Sequence, residues 1–340
     1  MFRFSISDLP GPQHTGPASQ FPIQSPSRAR TISNPLIEII VNPAAGRRGA
    51  GSRLAEVIAG FERANVRRVV ETRAAGDEEV LAQSALEAGV DTIVAVGGDG
   101  TCSGIARAVS SAGKACRIAV VPYGTGNDFA KTLGVEHCTA ADIAALIDRN
   151  QPTRIDIGLV DGRCFVNSCG FGFDASVLEA TKSVRMLKGN AVYIYAALRQ
   201  LFTYRGMTVS VGSDQNADPQ QMLMLTVSNG QFLGGAFHIA PAASAVDGKL
   251  DVGLFSDPGL TGRVRTFGAA FRGAHVGLPS VETKRVSRMT LRFSAPPMME
   301  VDGELRQALS ATVTVECVPR ALSVIAAPGY PLEFSELAQA

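Results

Sequence analysis

The chain has 340 residues, of which 46% are hydrophobic and 19% are charged, and its formal net charge at pH 7 is +1. This length can hold two domains with separate cores, and the composition is typical of a globular protein. The nearly neutral charge excludes nucleic-acid binding by bulk positive charge. The sequence contains no run of about eighteen uncharged apolar residues, so we expect no integral membrane segment.

The six cysteines include no CxxC pair, and no histidine lies at metal-ligand spacing from them. Structural zinc is therefore not expected, and most of the six are predicted to be small buried residues in a reducing cytoplasm. The sequence thus favours cytoplasmic localisation, with peripheral association if the protein meets a membrane.

The two ends of the chain are predicted to be tails. Residues 1–35 hold six of the eighteen prolines and show little hydrophobic periodicity. Such a segment is typical of a flexible Pro-rich extension. Residues 328–340 are predicted to form a short C-terminal tail.

Strands and helices alternate between residues 36 and 150. Apolar residues at the i, i+3, i+4 and i+7 spacing of an amphipathic helix are Leu54, Val57, Ile58 and Phe61. The predicted strands cover residues 36–41, 67–71, 91–96 and 117–121, and further helices cover residues 77–88, 102–109 and 139–148. This alternation, with short connections, predicts an α/β domain with a parallel sheet.

The pattern changes after Gln151. Residues 155–160 and 164–168 flank Asp161-Gly162, which is a strong two-residue hairpin signal. Further strands are predicted over residues 207–211, 222–228, 250–255, 289–293, 299–301, 312–315 and 322–325. Many strands and few helices predict a mainly antiparallel β-sandwich-like domain over residues 151–327. A return of the chain to the first domain near the C-terminus is left open.

Three predicted strands of the first domain each end in a loop rich in glycine, Asn, Asp or Thr. These loops are Asn42-Pro43-Ala44-Ala45-Gly46, Gly97-Gly98-Asp99-Gly100-Thr101 and Gly124-Thr125-Gly126-Asn127-Asp128. Glycines let backbone N–H groups crowd around phosphate oxygens, and loops at the carboxyl ends of parallel strands gather at one edge of the sheet. Asp99 would repel a phosphate, so its presence suggests a Mg²⁺ between the two. Structural tight turns are the alternative explanation.

The three loops resemble the nucleotide-binding motifs of the diacylglycerol kinase catalytic superfamily, which includes bacterial soluble lipid kinases, sphingosine kinases and ceramide kinases. The resemblance continues through residues 156–158, 167–174, 247–251 and 301–304, and it covers about residues 36–326. It implies an α/β domain with a parallel sheet followed by a mainly antiparallel β-sandwich-like domain. The nucleotide site is then expected in the cleft between the two domains.

The resemblance implies a set of nucleotide-binding residues: Asn42, Pro43, Gly46, Thr72, Gly97, Gly98, Asp99, Gly100, Thr101, Gly124, Thr125, Asn127 and Asp128. It also implies that Asp99, Asp128 and Asp156 organise the catalytic Mg²⁺, partly through water. That role suits aspartates because Mg²⁺ gives up its hydration shell reluctantly. Helix capping and turn bonding are the ordinary alternatives for Asp128 and Asp156.

Asp302 and Glu304 are the acids expected nearest the acceptor hydroxyl. If residues 301–304 stay extended, positions i and i+2 point to the same face of a strand, so both carboxylates reach the cleft. The family resemblance makes Asp302 the general base, because an alkyl hydroxyl loses its proton only as the phosphoryl group is transferred. The alternative is that Asp302-Gly303 is only a hairpin turn.

Residues 247–251 resemble a second, structural Mg²⁺ site of bacterial lipid kinases. The resemblance implies three ligands, namely the Asp247 side chain and the carbonyls of Ser244 and Lys249. An oxygen-rich ligand set suits a hard cation. A plain Asp-Gly turn is the alternative.

Two features suggest membrane contact. Basic residues accumulate with only Glu282 opposing them, namely Arg263, Arg265, Arg272, Lys284, Arg285, Arg288 and Arg292. Such a cluster can attract anionic lipid, although a solvated soluble face is an equal alternative. Residues 192–202, with Lys188 and Arg199 at their ends, form an apolar stretch that suits either membrane insertion or a core helix.

The sequence therefore predicts an ATP-dependent lipid kinase that uses Mg²⁺ and phosphorylates a hydroxyl of a diacylglycerol-like or sphingoid/ceramide-like lipid at a membrane surface. One alternative is a kinase acting on NAD, which shares GGDGT, but the Asn-Glu pair of that family is missing here. Another is a non-catalytic nucleotide or lipid sensor, although no catalytic acid is lost. The oligomeric state, including a homodimer, is left open.

Overall fold

A computed structural model of the chain describes residues 34–46, 50–181, 190–212 and 218–329. The predicted N-terminal tail lies almost entirely outside the described residues, as do Lys188 and residues 330–340. Within the described ranges, no helix has the length and hydrophobicity needed to cross a membrane.

The first domain alternates strands and helices as the sequence predicts. Its elements are β1 (Ile37–Val41), α1 (Ala50–Gly60), β2 (Val66–Glu71), α2 (Asp77–Glu87), β3 (Thr92–Gly97), α3 (Asp99–Ala112), β4 (Arg117–Pro122), α4 (Asp128–Thr132) and α5 (Ala140–Asp148). The strands lie in the order β2-β1-β3-β4 and are all parallel. β1 and β3 are buried along their whole length, as expected for near-continuous apolar strands covered on both faces.

The second half of the chain is rich in strands. Its elements are β5 (Thr153–Val160), β6 (Arg163–Phe165), β7 (Ser168–Gly172), α6 (Phe173–Thr181), α7 (Asn190–Thr203), β8 (Met207–Val211), β9 (Gln220–Met222), β10 (Met224–Ser228), β11 (Phe232–Leu233), β12 (Phe237–His238), β13 (Leu250–Phe255), α8 (Gly259–Ala270), a 3₁₀ helix (Ala274–Gly277), β14 (Val281–Val286), β15 (Arg288–Phe293), β16 (Met298–Val301), β17 (Glu304–Gln307) and β18 (Thr312–Val324).

Two sheets form the sandwich of this second domain. One is an antiparallel sheet in the order β14-β13-β10-β7-β16-β17. The other joins β18, β15, β8, β9, β5 and β6 to the parallel sheet of the first domain. Apolar side chains from both sheets pack between them, including Phe171 and Leu225 from the first and Leu291 and Val313 from the second. The predicted sandwich is confirmed.

Two predicted strands are each divided in the structure. Residues 164–168 split into β6 and β7, and residues 222–228 split into β9 and β10. In each case the first piece belongs to the sheet that contains β18 and the second to the six-stranded sheet. The chain therefore crosses between the sheets at points that carry no glycine or proline turn signal.

Two other predicted strands are joined. Residues 312–315 and 322–325 belong to the single strand β18, in which a bulge lies between Val318 and Leu322. Arg320 in this bulge has a positive φ of 51°. The strand pairs with β15 near its start, and Ser323 and Val324 pair with β4 in parallel at its end. β18 thus connects the sandwich with the parallel sheet.

Both Asp-Gly dipeptides of the predicted hairpins form two-residue turns. Asp161-Gly162 joins β5 to β6, with φ of 47° and 77°, and Asp302-Gly303 joins β16 to β17, with φ of 48° and 84°. Positive φ at both positions is the geometry of a type I′ turn. The two turns share a backbone conformation, but their aspartates have different surroundings.

Candidate active site

The three glycine-rich loops meet at the carboxyl edge of the parallel sheet. Asn42 donates from Nδ2 to Thr101 Oγ1 at 3.1 Å, and its Oδ1 accepts the Ala44 N–H at 3.0 Å. The first loop is thereby tied to the first turn of α3. Gly46 ends this loop with a positive φ of 70°, and Pro43 is half-buried beside Asn42. Thr72 is buried at the end of β2, where its N–H bonds the Val41 carbonyl at 2.9 Å.

Gly98 and Gly124 bring the second and third loops into backbone contact. A Cβ placed on Gly124 would lie 2.3 Å from the Gly98 Cα, and a Cβ on Gly98 would lie 2.9 Å from the Gly124 Cα. A Cβ on Gly97 would likewise lie 2.4 Å from Thr101 Oγ1. Glycine is needed at positions 98 and 124 because a side chain there would separate the two loops, and at position 97 because a side chain would displace Thr101.

Gly100 differs from these three glycines because a Cβ there would meet nothing within 4 Å. It lies in the first turn of α3, a fourteen-residue helix whose N-cap residue Gly98 makes no side-chain cap. The first N–H groups of a helix have no intrahelical acceptor and attract anions. Thr125 is exposed on the adjoining loop, and Asn127 N-caps α4 while bonding the Gly124 carbonyl at 3.2 Å. This open, amide-rich edge fits phosphate groups.

The Asp99 carboxylate points toward the neighbouring loop. Its Oδ1 accepts the Phe129 N–H at 3.1 Å. Burial, followed by the charge of Asp128, raises the pKa of Asp99 to about 6, and Asp302 adds to the same effect. Repulsion between these carboxylates is what a bound cation would relieve, so this part of the site fits Mg²⁺.

Asp128 is engaged by the second domain. Its Oδ1 accepts from Lys131 Nζ at 2.9 Å, and its Oδ2 accepts the Gly235 N–H at 2.8 Å. Lys131 also donates to the Gly235 carbonyl at 2.8 Å. Asp128 therefore lies near Asp99 but also holds α4 against the turn between β11 and β12.

Asp156 has hydrogen-bond partners of its own, away from the Asp99 and Asp128 loops, and its place in the trio of Mg²⁺-organising aspartates stays a prediction. The Asp156 carboxylate is fully buried and accepts the N–H groups of Arg320 at 2.7 Å and Gly248 at 2.6 Å. These bonds tie it to the β18 bulge and to the 247–249 loop. Among the described residues, no three or more His, Cys, Asp and Glu side chains form a group that could hold a metal ion.

The 247–249 loop is a tight Asp-Gly turn. Asp247 is exposed and accepts the Lys249 N–H at 2.9 Å, and Gly248 has a positive φ of 72°. Ser244 is buried, and its hydroxyl accepts the Val246 N–H at 3.4 Å. The structural Mg²⁺ site assigned to Ser244, Asp247 and Lys249 stays a prediction.

Asp302 is buried where the two domains meet. Its Oδ2 accepts the Val166 N–H at 2.9 Å, and its Oδ1 accepts the N–H groups of Asn167 at 2.9 Å and Ser168 at 3.1 Å. The Ser103 side chain of α3 also bonds it. Burial raises the pKa of Asp302, although these hydrogen bonds oppose the rise. The helix that begins at the phosphate loop therefore also contacts the proposed base.

Glu304 does not accompany Asp302 into the cleft. The condition for that prediction, an extended chain at residues 301–304, is not met, because Asp302-Gly303 forms the turn and Glu304 begins β17. The Glu304 carboxylate accepts from Arg107 at 3.0 Å, Arg163 at 2.9 Å and Arg306 at 2.5 Å. Burial acts to raise the pKa of Glu304, but the three arginines outweigh it and hold the pKa below its ordinary value. Glu304 thus links the domains as an ionised partner of arginines.

Sequence reasoning missed a buried carboxyl pair behind the Asp302 turn. Glu300 and Asp174 are each at most 2% exposed and are hydrogen-bonded to each other. Burial, together with the nearby Asp174, raises the pKa of Glu300 well above its ordinary value. Glu300 also accepts the Gly303 N–H. Two carboxyl groups buried side by side disfavour ionisation of both at once. An acid within the apolar segment MMEV is the one sequence signal that pointed to it.

An apolar pocket of the second domain reaches this carboxyl pair. Its walls include Phe173, Leu201, Leu223, Phe237 and Phe267, and Asp174 also lines it. α7 and α8 cover one side of this pocket, while β10 and β13 contribute to the other. A hydrocarbon chain in the pocket would therefore lie close to the acids beside the Asp302 turn.

The basic residues between 263 and 292 do not form one surface. Arg263 is buried, bonding Asp257 at 2.6 Å and the Leu201 and Tyr204 carbonyls at 2.8 Å. The others lie on or beside α8, on β14 and on β15, in different layers of the domain. Four of these have partners: Lys284 pairs with Glu282, Arg285 with Asp251, Arg288 with Glu316, and Arg292 with the Gly212 carbonyl. Most of these basic residues therefore fit the alternative of a solvated face with ordinary ion pairs better than a membrane-binding cluster.

Two family models match the chain. The diacylglycerol kinase catalytic domain matches residues 37–160, and the YegS C-terminal NAD kinase beta sandwich-like domain matches residues 167–326. In the second description, NAD kinase names a type of β-sandwich domain. It gives no support to the alternative of a kinase acting on NAD.

Relatives with these domains are similar over most of their length. The chain is 27% identical over 268 residues to the diacylglycerol kinase of Bacillus subtilis, covering 78% of this chain and 88% of that protein. It is 32% identical over 235 residues to a Pseudomonas fluorescens protein described as "Probable lipid kinase YegS-like", covering 66% and 77%. A Pseudomonas putida protein of the same description is 31% identical over 261 residues, covering 76% and 84%.

The fold is also similar to a solved structure. A diacylglycerol kinase from Bacillus anthracis superposes with a TM-score of 0.66, covering 87% of this chain and 97% of that one at 21% identity. This likeness bears on the fold alone. Together with the family models and the sequence relatives, it confirms the expected architecture. The chain belongs to the family of diacylglycerol kinases and YegS-like lipid kinases, and it is a kinase.

Proposed function

We propose that this kinase transfers the γ-phosphoryl group of ATP to a hydroxyl of a diacylglycerol-like or sphingoid/ceramide-like lipid. The observation that carries the proposal is the position of Asp302. Its carboxylate contacts α3, whose first turn lies in the phosphate loop, and its turn contacts Glu300, whose partner Asp174 lines the apolar pocket. The proposed donor and acceptor sites are thus linked by way of Asp302, Glu300 and Asp174.

The donor side uses backbone groups. The open face of Gly100 and the free N–H groups at the start of α3 support phosphate binding there. Asn42 and Thr101 hold the neighbouring loop against this turn. The contact of Gly98 with Gly124 keeps the third loop beside them. These residues orient the phosphates of ATP without contributing charge of their own.

Asp99 is the residue we assign to Mg²⁺, together with the nucleotide phosphates and water. We place Asp128 next to the ion instead of on it, because both of its carboxylate oxygens already accept hydrogen bonds from protein groups. A bound Mg²⁺ would neutralise charge on the phosphates during transfer. Burial and the charge of Asp128 raise the pKa of Asp99 to about 6, so a bound cation would favour the ionised carboxylate.

Asp302 is the proposed general base. The acceptor oxygen attacks the γ-phosphorus, the bond to the bridging oxygen of ADP breaks, and the hydroxyl proton passes to the Asp302 carboxylate. The N–H groups of residues 166–168 fix the direction of this carboxylate. Burial keeps it a stronger base than an exposed aspartate.

The apolar pocket is proposed to take a hydrocarbon chain of the acceptor. Its aromatic and aliphatic walls gain free energy by burying a hydrocarbon chain, which a nucleotide such as NAD lacks. A protein acting on such a lipid would work at a membrane surface from the cytoplasm.

The test is transfer of labelled phosphate from ATP to a panel of diacylglycerol, monoacylglycerol, sphingosine, ceramide, phosphatidylglycerol and NAD. We expect Mg²⁺-dependent labelling of at least one lipid and none of NAD. Labelling of NAD alone would contradict the proposal. Binding of ATP without transfer to any acceptor would instead favour a sensor.

A further inference from the structure

Exposed apolar side chains are concentrated on two neighbouring helices. Ten large hydrophobic side chains are exposed among the described residues, and six of them lie on α7, on α8 or directly after α8. These six are Tyr195, Leu198, Phe202, Leu260, Val264 and Phe271. A concentration of this kind marks an interaction surface, whereas single exposed hydrophobic residues do not.

The six residues follow helical spacing. On α7 the three residues occupy positions i, i+3 and i+7, and on α8 Leu260 and Val264 occupy positions i and i+4. They therefore form one stripe on each helix. Other residues of the same helices, including Leu201 and Phe267, wall the apolar pocket. The buried Arg263 joins the two helices by bonding the Leu201 and Tyr204 carbonyls. The exposed stripes thus adjoin the proposed acceptor pocket.

The charged residues of these two helices all have one sign. Neither α7 nor α8 contains an Asp or Glu residue. Arg199, Arg265 and Arg272 are exposed, and no ion pair joins them to any other residue that the structure describes. An amphipathic helix with aromatic or aliphatic residues on one face and arginines beside them suits an anionic lipid interface.

We propose that the α7–α8 face, defined by the six apolar residues and these three arginines, docks on an anionic lipid bilayer and admits an acceptor chain to the adjoining pocket. This inference rests on the proposed lipid kinase function. A bilayer supplies both hydrocarbon for the apolar stripes and negative charge for the arginines. A second copy of the chain would instead bring like charges together across a two-fold interface. Charge complementarity therefore favours the bilayer.

The test measures vesicle binding without nucleotide, so it does not depend on catalysis. Protein is floated with phosphatidylcholine vesicles that contain or lack phosphatidylglycerol. Leu198→Gln combined with Phe202→Gln should weaken partitioning onto the anionic vesicles about tenfold, since binding scales with buried apolar area. The matched control is Ile58→Gln with Val80→Gln, because these residues are 51% and 65% exposed in the first domain. The control should bind as the wild type does.

A second variant tests the charge. Arg199→Gln with Arg265→Gln should reduce binding to anionic vesicles only, and high salt should reduce wild-type binding in the same way. Melting temperatures of all variants should match the wild type, because every altered side chain is exposed.

Three results would overturn the proposal: no wild-type binding to anionic vesicles, full binding by the Leu198/Phe202 variant, or an equal loss in the control. A wild-type dimer that this variant converts to a monomer, with vesicle binding unchanged, would show that the face joins two copies. If vesicle binding behaves as expected but no lipid is phosphorylated, the proposed function fails while the docking surface stands.

Discussion

The phosphate side and the acceptor side of the site are built in different ways. The phosphate side consists of three loops whose glycines and helix start lie within short, recognisable segments. The acceptor side brings together Asp302, Glu300 and Asp174 with a pocket wall whose residues are widely separated in the chain. Backbone geometry defines the first side, whereas long-range packing defines the second. Local sequence patterns can therefore reveal the first much better than the second.

The largest effect is expected from changing Asp302, the proposed general base. Asp302→Asn should lower the rate of phosphoryl transfer by roughly 10²–10⁴, because it removes the proposed base. It should also lower stability by about 1–3 kcal/mol, because an amide NH₂ would face a backbone N–H that now bonds a carboxylate. Transfer rate, ATP affinity and thermal melting should be measured together.

The matched control is Asp161→Asn, which changes the aspartate of the other Asp-Gly turn. That turn has similar positive φ values but lies outside the candidate site. The control should keep its transfer rate. A similar loss in both variants would assign the effect to turn conformation instead of proton transfer.

A second prediction separates packing from phosphate binding within the loops. Gly124→Ala should lower stability by about 1–3 kcal/mol, because the new Cβ would lie 2.3 Å from the Gly98 Cα. Gly100→Ala should keep the melting temperature, because its Cβ enters open space, but should weaken ATP binding by about tenfold if phosphates approach there. Calorimetric titration with ATP and thermal melting distinguish the two. Unchanged ATP affinity in Gly100→Ala would remove this turn from the donor site.

A third prediction concerns the buried carboxyl pair. Because the folded protein raises the pKa of Glu300, the folded state binds this proton more tightly than the unfolded state does. Wild-type stability therefore falls as pH rises above the ordinary pKa of a glutamic acid. The variant Glu300→Gln has no titrating group at this position. The melting temperature of the variant minus that of the wild type should therefore increase as the pH is raised from 5 to 8. Parallel melting curves across this pH range would mean that the pair does not hold a proton.

The smallest effect is expected at the exposed basic residues of β14 and β15. Lys284→Gln with Arg288→Gln should change stability by less than about 0.5 kcal/mol, because both residues form exposed ion pairs. Transfer to vesicle-borne lipid should also be unchanged. A loss of phosphate transfer that is confined to anionic vesicles would assign membrane docking to these basic residues and weaken the assignment to α7 and α8.

Much of the fold follows from the spacing of apolar residues along the sequence. β1, β3 and β4 are near-continuous apolar runs, and the turns at residues 161–162 and 302–303 follow from Asp-Gly. The crossings at residues 166–167 and at residue 223 leave no such trace, because no glycine or proline lies there and both sheets contain apolar strands. The periodicity of apolar residues indicates which side chains are buried, but it does not identify the sheet in which a residue lies.

The candidate site was less completely predictable. Asp156 and Glu304 are acids within motif segments, yet their roles depend on partners that are distant in sequence. Asp156 bonds the N–H groups of residues 248 and 320, and Glu304 bonds Arg107 and Arg163. Glu300 was missed because a buried acid is stable only beside a hydrogen-bonding partner, and Asp174 is brought to it by the fold.

The central claim is that the apolar pocket presents a lipid hydroxyl to Asp302, and an acceptor chain-length series tests it most directly. Initial rates of phosphate transfer from ATP would be measured for a homologous series of soluble short-chain acceptors. Each methylene that enters the pocket should raise kcat/KM about fourfold, corresponding to about 0.8 kcal/mol, until the pocket is filled. A value of kcat/KM that does not change with chain length would contradict the account.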